Sequence, residues 1–295
     1  MEMIRKKLFI LLTTAFLLAA ISAIALTLGR EKRAEIVVGG KGVEGEILAE
    51  IIVQHLEKRL SLPARKNGRI DGTFIIFEAL KGGEIDLYVE YTGTALSAIL
   101  GERREKRTRS EVYSAVKEGL SKWGLETLLP LGFQNQYVLL MQPETAEREQ
   151  IKALSDLLIK GSHLKVCFDQ EFCGREEFDA LKNLYHLSFP QLQMMDHILL
   201  YLTLEKEGCD LINGYSTDGR SRNFLMLVDD QEEFPAYEAV PIVRRELLER
   251  YPDLEEVLNQ LAGKISEEAM QEMNYQVEVK GESIPAVARR FLERV

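Results

Sequence analysis

Beyond residue 34, apolar positions alternate between short unbroken runs and stretches with a period near four. Glu35 to Gly39 is an apolar run ending in glycine, which predicts a strand. Ile47, Leu48, Ile51, Ile52, Leu56 and Leu60 then fall at helical spacing. Asp71-Gly72-Thr73 opens a second helix through Phe77 and Leu80, which stops at Gly82-Gly83. Asp86 to Val89 predicts a strand, and Ser110 to Trp123 an amphipathic helix closed by Gly124. Leu164 to Phe168 and Cys209 to Gly214 predict two further strands. Between them lie helical patterns near Arg175 to Asn183 and Asp196 to Lys206. From Val243 onward the pattern is mostly helical, with Ser283 as an N-cap and Pro285 in the first turn that follows it.

Strands alternating with helices imply an α/β body of parallel sheet with helices on both faces. The chain has no repeat, no low-complexity tract and no long Pro/Ser-rich linker. Two lobes joined by short crossing segments fit its 295 residues. Ligands of such folds sit at the C-terminal ends of strands, often between domains.

Before residue 34 the pattern is different. Arg5, Lys6 and Lys7 precede an uncharged, mostly apolar stretch from Leu8 to Gly29, and charge returns at Arg30. This is an export signal, and Ala23-Ile24-Ala25 offers a cleavage site. At about 22 residues the stretch is equally long enough to remain as a membrane anchor. Both alternatives put residues from about 34 onward outside the cytoplasmic membrane.

Composition narrows the function classes. Hydrophobic residues make up 46% and charged residues 28%, enough apolar material for a core. With 37 Lys and Arg against 47 Asp and Glu, a net charge of -10 argues against nucleic acid as a partner. The basic run from Arg103 to Arg109, broken by Glu105, reads as a solvated loop before a helix. Cys167, Cys173 and Cys209 match no zinc spacing; in an oxidising compartment one pair can bridge and leave one over, or all three are buried thiols.

No catalytic or metal-binding constellation stands out. His55, His163, His186 and His197 have no partner at metal-ligand spacing. Gly39-Gly40-Lys41-Gly42 lacks the spacer and hydroxyl of a phosphate loop. Asp229, Asp230, Glu232 and Glu233 read as a solvated turn. Four tyrosines are placed differently: Tyr91, Tyr137, Tyr215 and Tyr237 each lie at a strand end or turn, off any periodic core face. Each alone reads as a rim tyrosine, packed by its ring and wetted by its hydroxyl. Gathered in one cleft, their faces would attract a cation that has no hydrogen to donate.

Longer segments resolve that choice by resemblance. Phe77 to Thr94 (Phe-Glu-Ala-Leu-Lys-Gly-Gly-Glu-Ile-Asp-Leu-Tyr-Val-Glu-Tyr-Thr-Gly-Thr), Tyr215-Ser-Thr-Asp-Gly-Arg220 and Phe234-Pro-Ala-Tyr-Glu-Ala-Val-Pro241 resemble the glycine betaine/choline/carnitine-type substrate-binding proteins of osmoprotectant ABC importers. So do Ile47-Leu-Ala-Glu50, Leu261-Ala-Gly-Lys-Ile-Ser266 and Met273-Asn-Tyr275, and the likeness runs from about Ile36 to Leu292. The resemblance implies a bilobed periplasmic-binding-protein fold of type II. Residues 34–134 and 238–295 would form one lobe and 135–237 the other, with residues 1–33 as signal or anchor. It also implies an ammonium box on Tyr91, Tyr137, Tyr215 and Tyr237, with Asn135 beside the second tyrosine. The solute carboxylate would meet Lys41, Thr94 and Arg175, the last in a looser match. Implied partners are a quaternary amine and an ABC permease; no cofactor is expected, and the protein would act as a monomer.

Two departures leave the exact solute open. The family's Ser-Lys-Asn-Phe-Thr-Glu-Gln-like turn reads Gly40-Lys-Gly-Val-Glu-Gly-Glu46, and Phe74 stands where a small or polar residue is usual. Glycine betaine is the leading expectation. Choline, carnitine, proline betaine or ergothioneine, a membrane-anchored ligand sensor, and an enzyme on the same fold are the alternatives.

Overall fold

The computed structural model describes residues 35–102, 107–232 and 234–295. The N-terminal apolar segment, most of the basic run and Glu233 lie outside the described residues. Among the described residues no helix is long and apolar enough to cross a membrane.

Two mixed sheets carry the fold. The first comprises β1 (Ile36–Lys41), β2 (Ala64–Ile70), β3 (Leu87–Tyr91), β4 (Leu125–Thr127) and β10 (Ala239–Arg244), in the order β2-β1-β3-β10-β4. The second comprises β5 (Tyr137–Met141), β6 (Val166–Phe168), β7 (Leu192–Met194), β8 (Leu211–Tyr215) and β9 (Leu225–Met226), in the order β7-β6-β8-β5-β9. The expected parallel pairing holds for β1 with β3, and for β6 with both β7 and β8. It fails at β10, antiparallel to β3 and β4, and at β5, antiparallel to β8 and β9. These two strands directly follow the segments that cross between the sheets, so they arrive without the helical return that a parallel strand needs.

Helix α1 (Gly42–Leu60) buries Ile47, Leu48, Ile51, Ile52 and Leu56, the spaced residues noted above. Helix α2 (Thr73–Gly82) buries Ile76, Phe77 and Leu80 and ends on Gly83 at φ 75°, a conformation glycine adopts without steric cost. Phe74 at its start faces solvent, 62% exposed. Helix α3 (Arg109–Ser121) is opened by a capping box, Thr108 accepting from the Glu111 amide while the Glu111 carboxylate accepts from the Thr108 amide. In the second sheet β5 is buried on both faces. Tyr137, Leu139 and Met141 enter a core with Phe168, Phe172 and Tyr185, while Val138 and Leu140 enter another with Cys167, Tyr201 and Ile212.

Pro241 sits in the middle of the first sheet, an unusual place for a residue without an amide hydrogen. Its carbonyl accepts from the Leu128 amide at 2.9 Å, on the side of β4. The missing donor therefore points past the end of β4 and takes nothing from the β3 ladder. The acidic turn is more than solvated: Asp229 accepts from the Phe234 amide at 2.8 Å, and Asp230 from the Ser155 amide at 3.2 Å.

Cys167 and Cys209 are disulfide-bonded and Cys173 is free. The bridge spans a sequence separation of 42 residues. Loop-closure entropy puts its contribution at about 4 kcal/mol. A reductant is therefore expected to lower the urea midpoint of the wild type and to leave a Cys167→Ala/Cys209→Ala variant unmoved, which equilibrium denaturation checks.

Candidate functional site

Three successive antiparallel registers set the positions of most candidate residues. Ala239 of β10 lies opposite Tyr91 of β3. One residue back, Glu238 bridges Gln134, and the Asn135 amide donates to the Tyr237 carbonyl at 3.1 Å. β5 then pairs with β8 so that Tyr137 lies opposite Tyr215. Tyr91, Asn135, Tyr137, Tyr215 and Tyr237 thus follow one continuous path of backbone pairing.

Their side chains fall into two groups. In the first, the Tyr137 and Tyr215 rings lie 4.7 Å apart between centroids, and the Tyr215 hydroxyl donates to that of Tyr137 at 3.0 Å. Phe172 backs Tyr137 at 5.1 Å. The Tyr237 hydroxyl donates at 2.5 Å to Glu177, a carboxylate only 1% exposed. A Cβ at Gly93 would stand 2.6 Å from the Tyr237 ring, so glycine there makes room for the tyrosine. In the second group the Tyr91 hydroxyl donates to Glu44. The same carboxylate accepts from the Asn135 amide group at 3.1 Å and from Asn274 at 2.6 Å. Burial raises the Glu44 pKa against these hydrogen bonds. Burial also pushes all four tyrosine phenols above their ordinary range, so they remain neutral.

The three expected carboxylate contacts lie on different elements. Lys41, at the end of β1, is paired with the buried Glu90, and its ammonium lies 5.3 Å from the centre of the Tyr91 ring. Thr94 is half-buried in the short helix Thr92–Thr94 that follows β3, next to Gly93. Arg175 is paired with Glu171 and lies within electrostatic reach of the Tyr137 and Tyr237 phenols. Burial opposes the guanidinium charge, but Glu171 holds its pKa above the ordinary value. A cavity of about 280 Å³ takes in Gly93, Arg175, Glu177 and Tyr237. Tyr215 borders another, of about 790 Å³, with Asp169 and His197.

Several groups bonded to these candidates were not singled out from the sequence as site residues. Glu44, Glu90 and Glu177 are among them, although the first two lie inside segments that carry the resemblance or depart from it. His197 is another. Its Nδ1 lies 2.9 Å from Asp169 and its Nε2 3.1 Å from Asp218, and its ring meets Tyr215 at 5.2 Å. A search for metal-ligand spacing passes over a histidine whose partners are carboxylates 28 and 21 residues away.

A family model described as the substrate binding domain of ABC-type glycine betaine transport system matches residues 34–294. The chain is 34% identical over 292 residues to the ergothioneine transport permease/ergothioneine binding protein of Helicobacter pylori, across 98% of this chain and 51% of that relative. It therefore spans about half the length of that protein. It is 31% identical over 300 residues to the carnitine transport binding protein of Listeria monocytogenes, across 98% of this chain and 97% of that one. A crystal structure described as a glycine betaine/carnitine/choline ABC transporter superposes with a TM-score of 0.82 at 28% identity, covering 88% of this chain and 98% of that chain.

The His197 site carries a pH consequence. Burial works against the imidazolium, but Asp169 and Asp218 raise its pKa from 6.5 to about 10. A pKa raised on folding adds stability that is fully present below 6.5 and is lost as pH rises through about 10. Discounted for a side chain one-third exposed, this amounts to about 3 kcal/mol. Denaturation midpoints measured across that window are expected to fall more steeply for the wild type than for His197→Asn.

Proposed function

Because the chain belongs to the family of substrate-binding domains of ABC-type glycine betaine transport systems, we propose that its solute is a small quaternary amine, glycine betaine first among them. The observation that carries this reading is the common backbone path that aligns Tyr91, Tyr137, Tyr215 and Tyr237. A methylated ammonium is poorly hydrated, so moving it among ring faces costs little, and each desolvated ring contributes about 0.5–2 kcal/mol. The face of Tyr91 already carries an internal cation, Lys41, which supports its suitability. In this reading Asn135 borders the box. Arg175 presents a planar fork to the solute carboxylate, with Thr94 as a hydroxyl donor and Lys41 as a point charge. A micromolar affinity needs only about 8 kcal/mol in total.

We take residues 34–134 with 238–295 as one lobe and 135–237 as the other, closing over the solute. A substrate-binding protein of an ABC importer works outside the cytoplasm with a permease. The N-terminal apolar stretch, Leu8 to Gly29, supports export and, if retained, anchoring. The protein is read as a monomer, and as a binder and not an enzyme; the second of these is in keeping with the names of its relatives. A second reading, choline, is favoured by one observation: Lys41 and Arg175 are both already paired with carboxylates of the chain. Choline has no carboxylate and makes no demand on either.

Calorimetric titration separates the two. Glycine betaine is expected to bind the wild type, and Tyr215→Ala to weaken it by about 0.5–2 kcal/mol, roughly 2- to 30-fold. Arg175→Ala is expected to cost about 1.5–3 kcal/mol with glycine betaine and to leave choline unaffected. Arg175→Ala without loss for either solute would favour choline. No heat with glycine betaine, choline, carnitine or ergothioneine would end the quaternary-amine reading.

A further inference from the structure

His197 opens the helix His197–Glu205, and nothing in the solute-binding reading above uses it. Its two carboxylate partners belong to two different pieces of chain. Asp169 directly follows β6 and caps the short helix Gln170–Cys173, accepting from the Phe172 amide at 2.7 Å. Phe172 backs Tyr137, and its carbonyl accepts from the Arg175 amide at 2.9 Å. Asp169 is held from behind by the Asn213 amide group at 2.7 Å. Asp218 lies in the turn after β8. Its carboxylate accepts from the Tyr215 amide at 3.0 Å and from the Tyr201 hydroxyl, while its own amide donates to the Tyr215 carbonyl at 3.1 Å. One imidazole therefore spans the loop that leads to Arg175 and the turn that presents Tyr215.

We propose that His197 is a positioning residue of the solute site, a charged clasp that holds the Tyr215 turn against the Arg175 loop. The inference rests on the aromatic-box reading and adds to it a group that touches no solute. A neutral imidazole can donate to only one of the two aspartates, whereas the charged ring donates to both and offsets their mutual repulsion. With the charge in place, the three groups sum to one negative charge beside the Tyr215 ring, on the cavity that Tyr215, Asp169 and His197 line together. The Tyr201 and Tyr215 phenols are neutral. Glu278 and Arg220 also face the cluster, one from the helix Glu267–Glu278 and one from the turn beyond Asp218. With both arms fixed before the solute arrives, less ordering remains to be done on binding.

The test is calorimetric titration of the full chain with glycine betaine, for His197→Asn, Tyr215→Phe, Arg175→Ala and the double variants that join His197→Asn to each. His197→Asn is expected to weaken binding by about tenfold to a hundredfold. Its effect is expected to be non-additive with both Tyr215→Phe and Arg175→Ala, since a clasp joins both arms. Wild-type affinity is expected to persist through neutral pH and to decline as pH rises toward about 10; His197→Asn is expected to lack that decline. If His197→Asn does not fold, Asp218→Asn replaces it, because it keeps an acceptor for the Tyr215 amide and removes one charge. A folded His197→Asn or Asp218→Asn that binds like the wild type overturns the clasp, as does strict additivity with both partners. Tyr215→Ala, run alongside, separates the clasp from the aromatic box. If it binds like the wild type, the aromatic-box reading fails and takes the clasp with it. If it loses binding while His197→Asn and Asp218→Asn do not, the clasp alone fails.

Discussion

Where the chain passes between its two sheets it does so twice, and the two passages are hydrogen-bonded to each other. The Leu131 amide reaches the Ala239 carbonyl at 2.9 Å, the Ala239 amide reaches the Phe133 carbonyl at 3.1 Å, and Gln134 bridges Glu238. This pairing continues without a break into β10 on one side and toward β5 on the other. Most of the site depends on it. A residue on the crossings, such as Asn135 or Tyr237, inherits the register of both sheets at once. Lys41 and Arg175, off the crossings, depend on one sheet each. The aromatic positions are accordingly the most strictly placed, and the charged contacts are the ones with room to adjust.

A second regularity is the company the rings keep. Tyr91, Tyr201 and Tyr237 each donate a hydroxyl to a carboxylate, respectively Glu44, Asp218 and Glu177. Glu90 and Asp169 add further negative charge, balanced in part by Lys41 and His197. In a medium of low dielectric such an arrangement is tolerable only when each acid has donors close by. Here phenols, amides and one imidazole supply them. The surroundings of the rings therefore suit a positive guest with a soft, methylated surface and disfavour a simple anion.

Much of the helical framework was legible from residue spacing, because an amphipathic helix declares its buried face every three to four positions. Ile47 to Leu56 and Phe77 to Leu80 are examples. The strands beside the site were harder to read. Tyr137 to Met141 is buried on both faces, so it shows no alternation, and Tyr137 read as a turn residue when it is the first of β5. Ala239 to Arg244 contains Pro241, which argues against a central strand until its neighbours are known. Ala64 to Ile70 is polar because it forms a sheet edge, where Arg65, Lys66 and Arg69 discourage pairing with another chain. The four tyrosines stood out by position alone, but their role as a box, like that of Arg175, came from resemblance to a family. Glu177 and His197 carry no signal in the sequence, since their partners are distant in the chain.

The two sheets also differ in how they are written along the polypeptide. All strands of the second fall between Tyr137 and Met226, and its disulfide joins two residues within that span. The first is interrupted: its strands up to Thr127 wait for Ala239 to Arg244, which must be inserted between β3 and β4. For a chain threaded N-terminus first through a narrow exit, the half that emerges earlier is thus the half completed later. The second sheet can close, and its cysteines can be oxidised, while the first still lacks a central strand. During that interval the open seam between β3 and β4 is the surface most in need of protection.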